Sequence, residues 1–240
     1  AAATEAAPQS GESIKTPDAA GTVQATVTAL GGGEDTADFD ARMLALAADV
    51  YRADIAAIPG QGRVRGVIYF GGVLYGFRDN VGATAKRIYK ATSSGWTLLA
   101  NPNRLNFTAG SVAPVVGVAV TKGGASATVK RIAVTSGSWA TADAAGFLII
   151  GAVTGGPFTA GALGGGGTLT VSGAETAVTL PAGGSMEFDI GTVQANPLVY
   201  FVDGVGKAHE FDGDYIAPIT TGNATDVPSH VMVHANHLHL

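Results

Sequence analysis

The sequence predicts a mainly β fold of antiparallel, blade-like sheets, with an inserted small β-barrel or sandwich and one N-terminal helix. The chain has 35 glycines among 240 residues and no cysteine, and it is rich in Val, Ile and Thr, as expected for short strands joined by tight turns. Short apolar runs recur between Asp-Gly, Gly-Gly and Ala-Asn turn sequences. One segment near the N-terminus has apolar residues at helical spacing instead.

The first 60 residues divide into an arm and a helix. Residues 1–35 consist largely of Ala, Gly, Ser, Thr, Pro and acids, which predicts an extended arm or linker. Residues 36–60 are expected to hold a helix at about 38–56. Phe39 and Met43 begin its apolar face at helical spacing.

Residues 61–106 are predicted to form a first blade-like region. Residues 66–78 have the pattern of a hairpin around Gly71-Gly72. Further strands are expected at 86–91 and 96–99. Four strands in so short a segment suit one small antiparallel sheet or one propeller blade.

Residues 107–175 are predicted to be an inserted small β domain. Aromatic residues become rare there, and glycine-rich turns separate the apolar runs. Strands are expected at 115–120, 127–134, 146–150 and 168–171.

Residues 176–240 are predicted to return to the blade region and to be incomplete at the C-terminus. The turns and apolar runs of 199–219 repeat those of 67–89, which favours blades of a propeller or an incomplete propeller. Residues 237–240 have the pattern of a strand. We expect them to pair with a strand of this chain or of a neighbouring chain.

Charge is unevenly distributed along the chain. Residues 1–57 carry nine acids and three bases, whereas residues 58–106 carry seven bases and one acid. The basic block is either a docking surface for an acidic neighbour or nucleic acid, or the solvated face of a sheet. Its members are Arg63, Arg65, Arg78, Lys86, Arg87, Lys90 and Arg104. The longest apolar run, 144–153, is too short to cross a membrane, so no membrane span is expected.

No pattern of catalytic or ligand-binding residues emerges. His237 and His239 share a face of one strand, but one edge strand does not supply a complete metal site. Carboxylates at 175, 187, 189 and 210 show no pairing of the kind that glycoside hydrolysis needs. Five aromatic residues are either a sugar-stacking platform or core: Tyr69, Tyr75, Tyr89, Trp96 and Tyr200. We therefore predict no enzymatic activity, no cofactor and no metal.

Two sets of motifs resemble those of tailed-bacteriophage virion structural proteins. The first comprises Tyr75-Gly-Phe-Arg-Asp-Asn80, residues 199–213 and the terminal Asn236-His-Leu238. The second resembles another phage-associated module and includes Gly155-Gly-Pro-Phe-Thr-Ala-Gly161. The similar segments are 64–100, 115–175 and 198–240. Propeller-based podovirus nozzle proteins are the nearest architectural analogue.

The resemblance implies a structural component of a phage virion, in the tail nozzle, hub or head-to-tail region. Its expected partners are copies of itself, other virion proteins and phage DNA that passes without specific binding. The alternative is a tail module that binds host-surface glycans. The residues expected at interfaces come from the helix, the basic block and the C-terminus: Phe39, Met43, Arg63, Arg65, Arg87, His237, Leu238, His239 and Leu240.

Overall fold

The computed structural model describes residues 13–15, 23–26, 41–48, 56–193, 196–223 and 225–240. Within these ranges the chain is mainly β, with antiparallel strand pairing throughout and one short helix. The prediction of a mainly β, antiparallel fold with an N-terminal helix is therefore confirmed. The chain divides into two compact units, residues 1–55 and residues 56–240.

The first unit contains a two-stranded sheet and a helix. Strand β1 (Ser13–Lys15) pairs with β2 (Val23–Thr26), and helix α1 spans residues 41–48. The rest of the predicted helix, apart from Ala56, lies outside the described residues.

Residues 56–60 begin the second unit and are not helical. The sequence predicts that the helix ends at about residue 56 before Pro59-Gly60, and the non-helical residues 57–60 agree with that end. Pro59 disfavours the helical conformation of the residue before it. The Trp96 indole and the Arg78 guanidinium also donate hydrogen bonds to the carbonyls of Ala56 and Ile58, which hold this segment against a sheet.

That sheet has five strands. It consists of the meander β3 (Gln61–Phe70), β4 (Val73–Asp79), β5 (Ala85–Thr92) and β6 (Gly95–Leu98), with β14 (Leu180–Pro181) added beside β5. The predicted hairpin around Gly71 and Gly72 is confirmed. Both glycines have positive φ, 57° and 81°, as a two-residue hairpin turn of type I′ requires.

Residues 103–177 form a seven-stranded, barrel-like sheet. Its strands are β7 (Asn103–Val112), β8 (Ala119–Lys122), β9 (Ala125–Ser136), β10 (Ala144–Ile150), β11 (Gly161–Ala162), β12 (Thr168–Val171) and β13 (Thr176–Ala177). They follow the order β11-β12-β7-β10-β9-β8, and β13 also pairs with β7. Backbone hydrogen bonds of 2.9 and 2.8 Å join Thr121 of β8 to Gly164, just beyond β11, so the sheet is nearly closed.

Two parts of this sheet differ from the prediction. Strand β7 begins before residue 107, where no strand was predicted. The alternation of buried and exposed residues along β7 is interrupted at Ala109, which has a φ of 51°. The pairing register between β7 and β10 shifts at the same place. The predicted strand at 115–120 is wrong before Ala119. Val115 and Val116 form part of a turn and are more than half exposed.

The C-terminal part contains a second meander and a hairpin. The meander is β15 (Glu187–Gly191), β16 (Leu198–Val202), β17 (His209–Phe211) and β18 (Ile216–Pro218), and the hairpin is β19 (Met232–His234) with β20 (His237–His239). The expected strand pairing of the last residues is confirmed by the β19–β20 register. The two meanders resemble blades, while their arrangement in a propeller stays a prediction.

Strand β10 is shared by two hydrophobic cores. Leu148 and Ile150 point into the barrel core, inside the seven-stranded sheet. Phe147 and Ile149 point into the inter-sheet core, which fills the space between the two meanders. Burial on both faces explains why 147–150 is an uninterrupted apolar run rather than an alternating one.

Candidate functional site

The candidate functional site is the outer face of the five-stranded sheet, the side that points away from the inter-sheet core. One row of directly opposed residues crosses its four meander strands: Val67, Gly76, Tyr89 and Leu98. Tyr69 lies opposite Leu74 in the neighbouring row. Directly opposed residues of an antiparallel sheet project to the same side. These six positions therefore project to the same side. Ile58 covers Gly76, and Tyr89 is buried, so Leu98 is separated from the exposed group Val67, Tyr69 and Leu74.

Four apolar side chains of the outer face are exposed. Val67 is 47% exposed, Tyr69 66%, Leu74 38% and Leu98 52%. On the other side of the same strands, Phe77 is fully buried. Isolated exposed apolar residues are common, but a contiguous set across neighbouring strands is typical of an interaction surface.

Two arginines lie at one end of the outer face. Arg78 and Arg87 are directly opposite each other on β4 and β5. Arg78 donates hydrogen bonds to the carbonyls of Ile58 and Gly62. Arg87 is half-buried, and within the described part of the chain we find no hydrogen bond or ion pair made by its side chain. The face therefore combines exposed apolar groups with a cationic end.

The predicted interface residues lie in several places. Phe39 is outside the described residues, and Met43 is exposed on α1. Arg63 is exposed and donates a hydrogen bond to the Gly184 carbonyl. Arg87 belongs to the outer face.

The C-terminal members of that set lie on the β19–β20 hairpin. His237, His239 and Leu240 are exposed, whereas Leu238 packs against the small core beneath the hairpin. Within residues 56–240, the predicted interface residues thus lie in separate places and do not form one site.

Arg65 serves an internal contact. Its guanidinium donates two hydrogen bonds to one carboxylate oxygen of Asp79, at 3.0 and 2.5 Å. The Gly183 amide donates a third hydrogen bond to the same carboxyl group. Burial alone would raise the pKa of Asp79, but the Arg65 and Gly183 bonds hold that pKa below its ordinary value.

Lys86 is the most deeply buried member of the basic block. Its side chain is fully buried, and its Nζ atom lies 2.5 Å from Asp203 Oδ2. The other oxygen of Asp203 accepts the Val205 and Gly206 amides, at 3.0 and 2.7 Å. This pair ties the first meander to the turn after β16. The sequence analysis did not predict this pair, whose members are 117 residues apart.

A pocket of about 280 Å³ lies beside a third internal ion pair. Arg131 Nε is 2.5 Å from Glu210 Oε1. Burial raises the pKa of Glu210, and the charge of Arg131 opposes that shift. Tyr200, on β16, lies directly opposite Glu210, on β17, and also lines the pocket.

The Tyr200 hydroxyl is buried and forms no hydrogen bond of normal geometry with the described residues. Burial and the charge of Glu210 raise the pKa of Tyr200, while Arg131 and the Val193 amide act in the opposite direction. A buried polar group without a partner lowers stability.

We expect Tyr200→Phe to leave the free energy of unfolding unchanged or to raise it by about 1 kcal/mol. Tyr75→Phe is the control, because the Tyr75 hydroxyl donates a 3.1 Å hydrogen bond to the Gly213 carbonyl. Its loss should cost about 1 kcal/mol. Urea denaturation measures both variants. A larger loss for Tyr200→Phe than for Tyr75→Phe would show that the Tyr200 hydroxyl has a stabilising partner.

His209 is a buried imidazole on β17. It stacks on Phe201 with ring centroids 5.3 Å apart, and its Nδ1 atom lies 2.8 Å from the Lys207 carbonyl oxygen. Burial lowers the pKa of His209 from 6.5 to about 4, although the Lys207 carbonyl acts in the opposite direction. Below pH 6.5 the unfolded chain therefore binds a proton that the folded chain excludes.

This difference predicts a loss of stability on acidification. The contribution of His209 is complete above pH 6.5 and is lost as the pH falls toward about 4. The slope should approach about 1.4 kcal/mol per pH unit within that window. Urea denaturation at several pH values should show a flatter profile for His209→Gln. His237→Gln, at an exposed position, is the control. Equal slopes for His209→Gln and the unchanged protein would contradict the assignment.

The candidate carboxylates also serve structural contacts. Glu187 and Asp189 lie on β15 and accept the amides of Val231 and Val233, at 3.1 and 2.6 Å. They attach the C-terminal segment to the edge of the second meander. Glu175 accepts the Phe158 amide.

The aromatic residues considered as a sugar platform are mostly core residues. Tyr75, Tyr89 and Tyr200 are buried, whereas Tyr69 is exposed on the outer face. Trp96 is half-buried, and its indole is hydrogen-bonded to Ala56.

Comparisons with protein-family models, curated proteins and solved structures find no match. Within the described ranges, no helix is long and apolar enough to cross a membrane. The same residues contain no group of three or more His, Asp or Glu side chains placed to hold a metal ion.

Proposed function

We propose that the protein is a structural component of a bacteriophage virion, in the tail or head-to-tail region. It acts through interfaces with copies of itself and with other virion proteins. The observation that carries this proposal is the outer face, on which Val67, Tyr69 and Leu74 are exposed side by side on β3 and β4, while Phe77 on the opposite side is fully buried. The resemblance of residues 64–100, 115–175 and 198–240 to virion structural proteins supports the same function.

The internal ion pairs suit a mechanical role. Lys86–Asp203 joins the first meander to the second, and Arg131–Glu210 joins the barrel-like sheet to the second meander. Bonds between separate sheets oppose their displacement under load. Because buried charges are costly unless they are paired, these contacts also favour one fixed arrangement of the sheets.

Quantitative mass spectrometry of purified particles tests the proposal. The particles should come from cells whose genome encodes this chain, after separation by density and nuclease treatment. A virion component is expected at a fixed ratio to the major capsid protein, and it should remain through repeated density separation. Its presence in the cell lysate together with its absence from the particles would contradict the proposal.

A further inference from the structure

We propose that Lys86 and Asp203 react with each other in the folded chain and form an amide bond between their side chains. This modification goes beyond the proposed function and does not depend on it. Three features carry the inference: the burial of both groups, their direct contact, and the two backbone amides that hold the other oxygen of the carboxylate.

The amine and the acid are held together in an interior that excludes water. The side chain of Lys86 is 0% exposed and that of Asp203 is 4% exposed, and Nζ lies 2.5 Å from Oδ2. Because a carbon–oxygen bond is about 1.2 Å long, Nζ is at most about 3.7 Å from the Cγ atom of Asp203. Groups that are fixed close together react as if their concentration were about 10⁵–10⁸ M, and exclusion of water opposes the reverse hydrolysis.

The surroundings of Lys86 single out Asp203 as the reaction partner. Its other side-chain contact is to Met186 Sδ, at 3.2 Å, and a thioether is only a weak acceptor. Asp79 is buried and lies directly opposite Lys86 on β4, but its carboxylate is paired with Arg65. Buried charges are costly, so a reaction that removes both charges of the pair removes that cost.

Two backbone amides are placed to stabilise the reacting carboxyl group. Oδ1 of Asp203 accepts hydrogen bonds from the amides of Val205 and Gly206, at 3.0 and 2.7 Å. Attack at Cγ moves negative charge onto Oδ1, and fixed amide donors aimed at such an oxygen lower the energy of the transition state. In the product Oδ1 is the carbonyl oxygen of the new amide and keeps both hydrogen bonds.

The reaction needs no other reactant. A proton first passes from Nζ to Oδ2 along their contact and leaves a neutral amine beside a neutral acid. The lone pair of Nζ then forms a bond to Cγ, and the π electrons of the carbonyl group move to Oδ1. A second proton passes from Nζ to Oδ2, the Cγ–Oδ2 bond breaks, and its electron pair leaves with Oδ2 as water. The carbonyl double bond re-forms, and one proton stays on the amide nitrogen.

The new bond would close a long covalent loop. Lys86 and Asp203 are 117 residues apart, and the whole barrel-like sheet lies between them in the chain. A cross-link of this kind restricts the unfolded chain, as a disulfide does. It would also fasten the first meander to the turn after β16 without passing through the barrel-like sheet.

The chain contains an exposed pair of the same residue types as a control. Lys130 Nζ lies 2.7 Å from Asp214 Oδ2, but the two side chains are 34% and 67% exposed. Water solvates both charges there, and it competes with any reaction between them. We therefore expect no amide bond between Lys130 and Asp214.

Mass spectrometry of the purified full chain, incubated in the folded state at neutral pH, tests the inference. We expect a mass lower by one water than the mass of the sequence, whereas Lys86→Met should have the full mass of its own sequence. A combined digest with trypsin and chymotrypsin should contain residues 79–87 joined to residues 202–207. The same digest should contain no peptides joined through Lys130 and Asp214.

Two results would overturn the inference. The full sequence mass in the unchanged protein would show that Lys86 and Asp203 form an ion pair only. A missing water that persists in Lys86→Met, without the joined peptide in the unchanged protein, would indicate a succinimide formed by Asp203 and Gly204 instead. The joined peptide identifies the bond in the unchanged protein, so the decision does not depend on the folding of Lys86→Met.

Discussion

Replacement of Asp203 by alanine is expected to lower the free energy of unfolding by about 3–5 kcal/mol. The change leaves the ammonium group of Lys86 fully buried without its counter-ion. It also removes the acceptor for the amides of Val205 and Gly206. Both losses act in the same direction, and guanidinium denaturation followed by tryptophan fluorescence measures their sum.

A paired variant separates the two causes. Lys86→Met combined with Asp203→Asn removes both charges and keeps a side-chain oxygen for the turn amides. We expect this double variant to be clearly more stable than Asp203→Ala, because no unpaired charge remains in the interior. Asp203→Ala with a loss below about 1 kcal/mol would show that Lys86 is not confined to a dry interior.

Replacement of Phe77 by alanine is expected to cost about 3–5 kcal/mol. Phe77 is fully buried in the inter-sheet core. Its ring centroid lies 5.2 Å from that of Phe188 and 5.5 Å from that of Phe201, so it joins the first meander to the second. The cavity left by the ring would remove these contacts from both sheets.

Leu74→Ala is the matched control for Phe77→Ala. It lies on the same strand, β4, but on the outer face, where it is 38% exposed. We expect a loss below about 1 kcal/mol, because little apolar surface is removed from the core. Equal losses for the two variants would contradict the assignment of inner and outer faces.

Local patterns account for the parts of the fold that the sequence predicts. The Gly71-Gly72 pair provides positive φ and therefore fixes the first hairpin. Strand β12 (Thr168–Val171) coincides with its prediction, since it alternates between buried and exposed residues. Strand β7 is harder to find, because the irregularity at Ala109 interrupts its alternation.

Long-range contacts explain the parts that sequence reasoning missed. Lys86 and Asp203 are 117 residues apart, and nothing in either local pattern indicates that they are paired. Because Lys86 belongs to the basic block, the sequence analysis placed it on a docking surface or on the solvated face of a sheet. Only the packing of the two meanders shows that it is internal.

The outer face was only partly predictable for a related reason. Both sides of strand β3 carry apolar residues: Val67 and Tyr69 lie on one side, and Ile68 and Phe70 lie on the other. Alternation therefore cannot indicate which side is buried. The second meander decides it in three dimensions, because it packs on the side of Ile68 and Phe70.

Light scattering after size exclusion measures the mass of the assembly that the purified full chain forms. This mass shows whether the outer face joins copies of the protein. We expect a multimer for the unchanged protein and a monomer for Tyr69→Asp, which places a carboxylate among the exposed apolar side chains of the outer face. Val81→Asp, at an exposed turn position, should assemble like the unchanged protein. Assembly of Tyr69→Asp equal to that of the unchanged protein, or a monomeric unchanged protein at all concentrations, would contradict it.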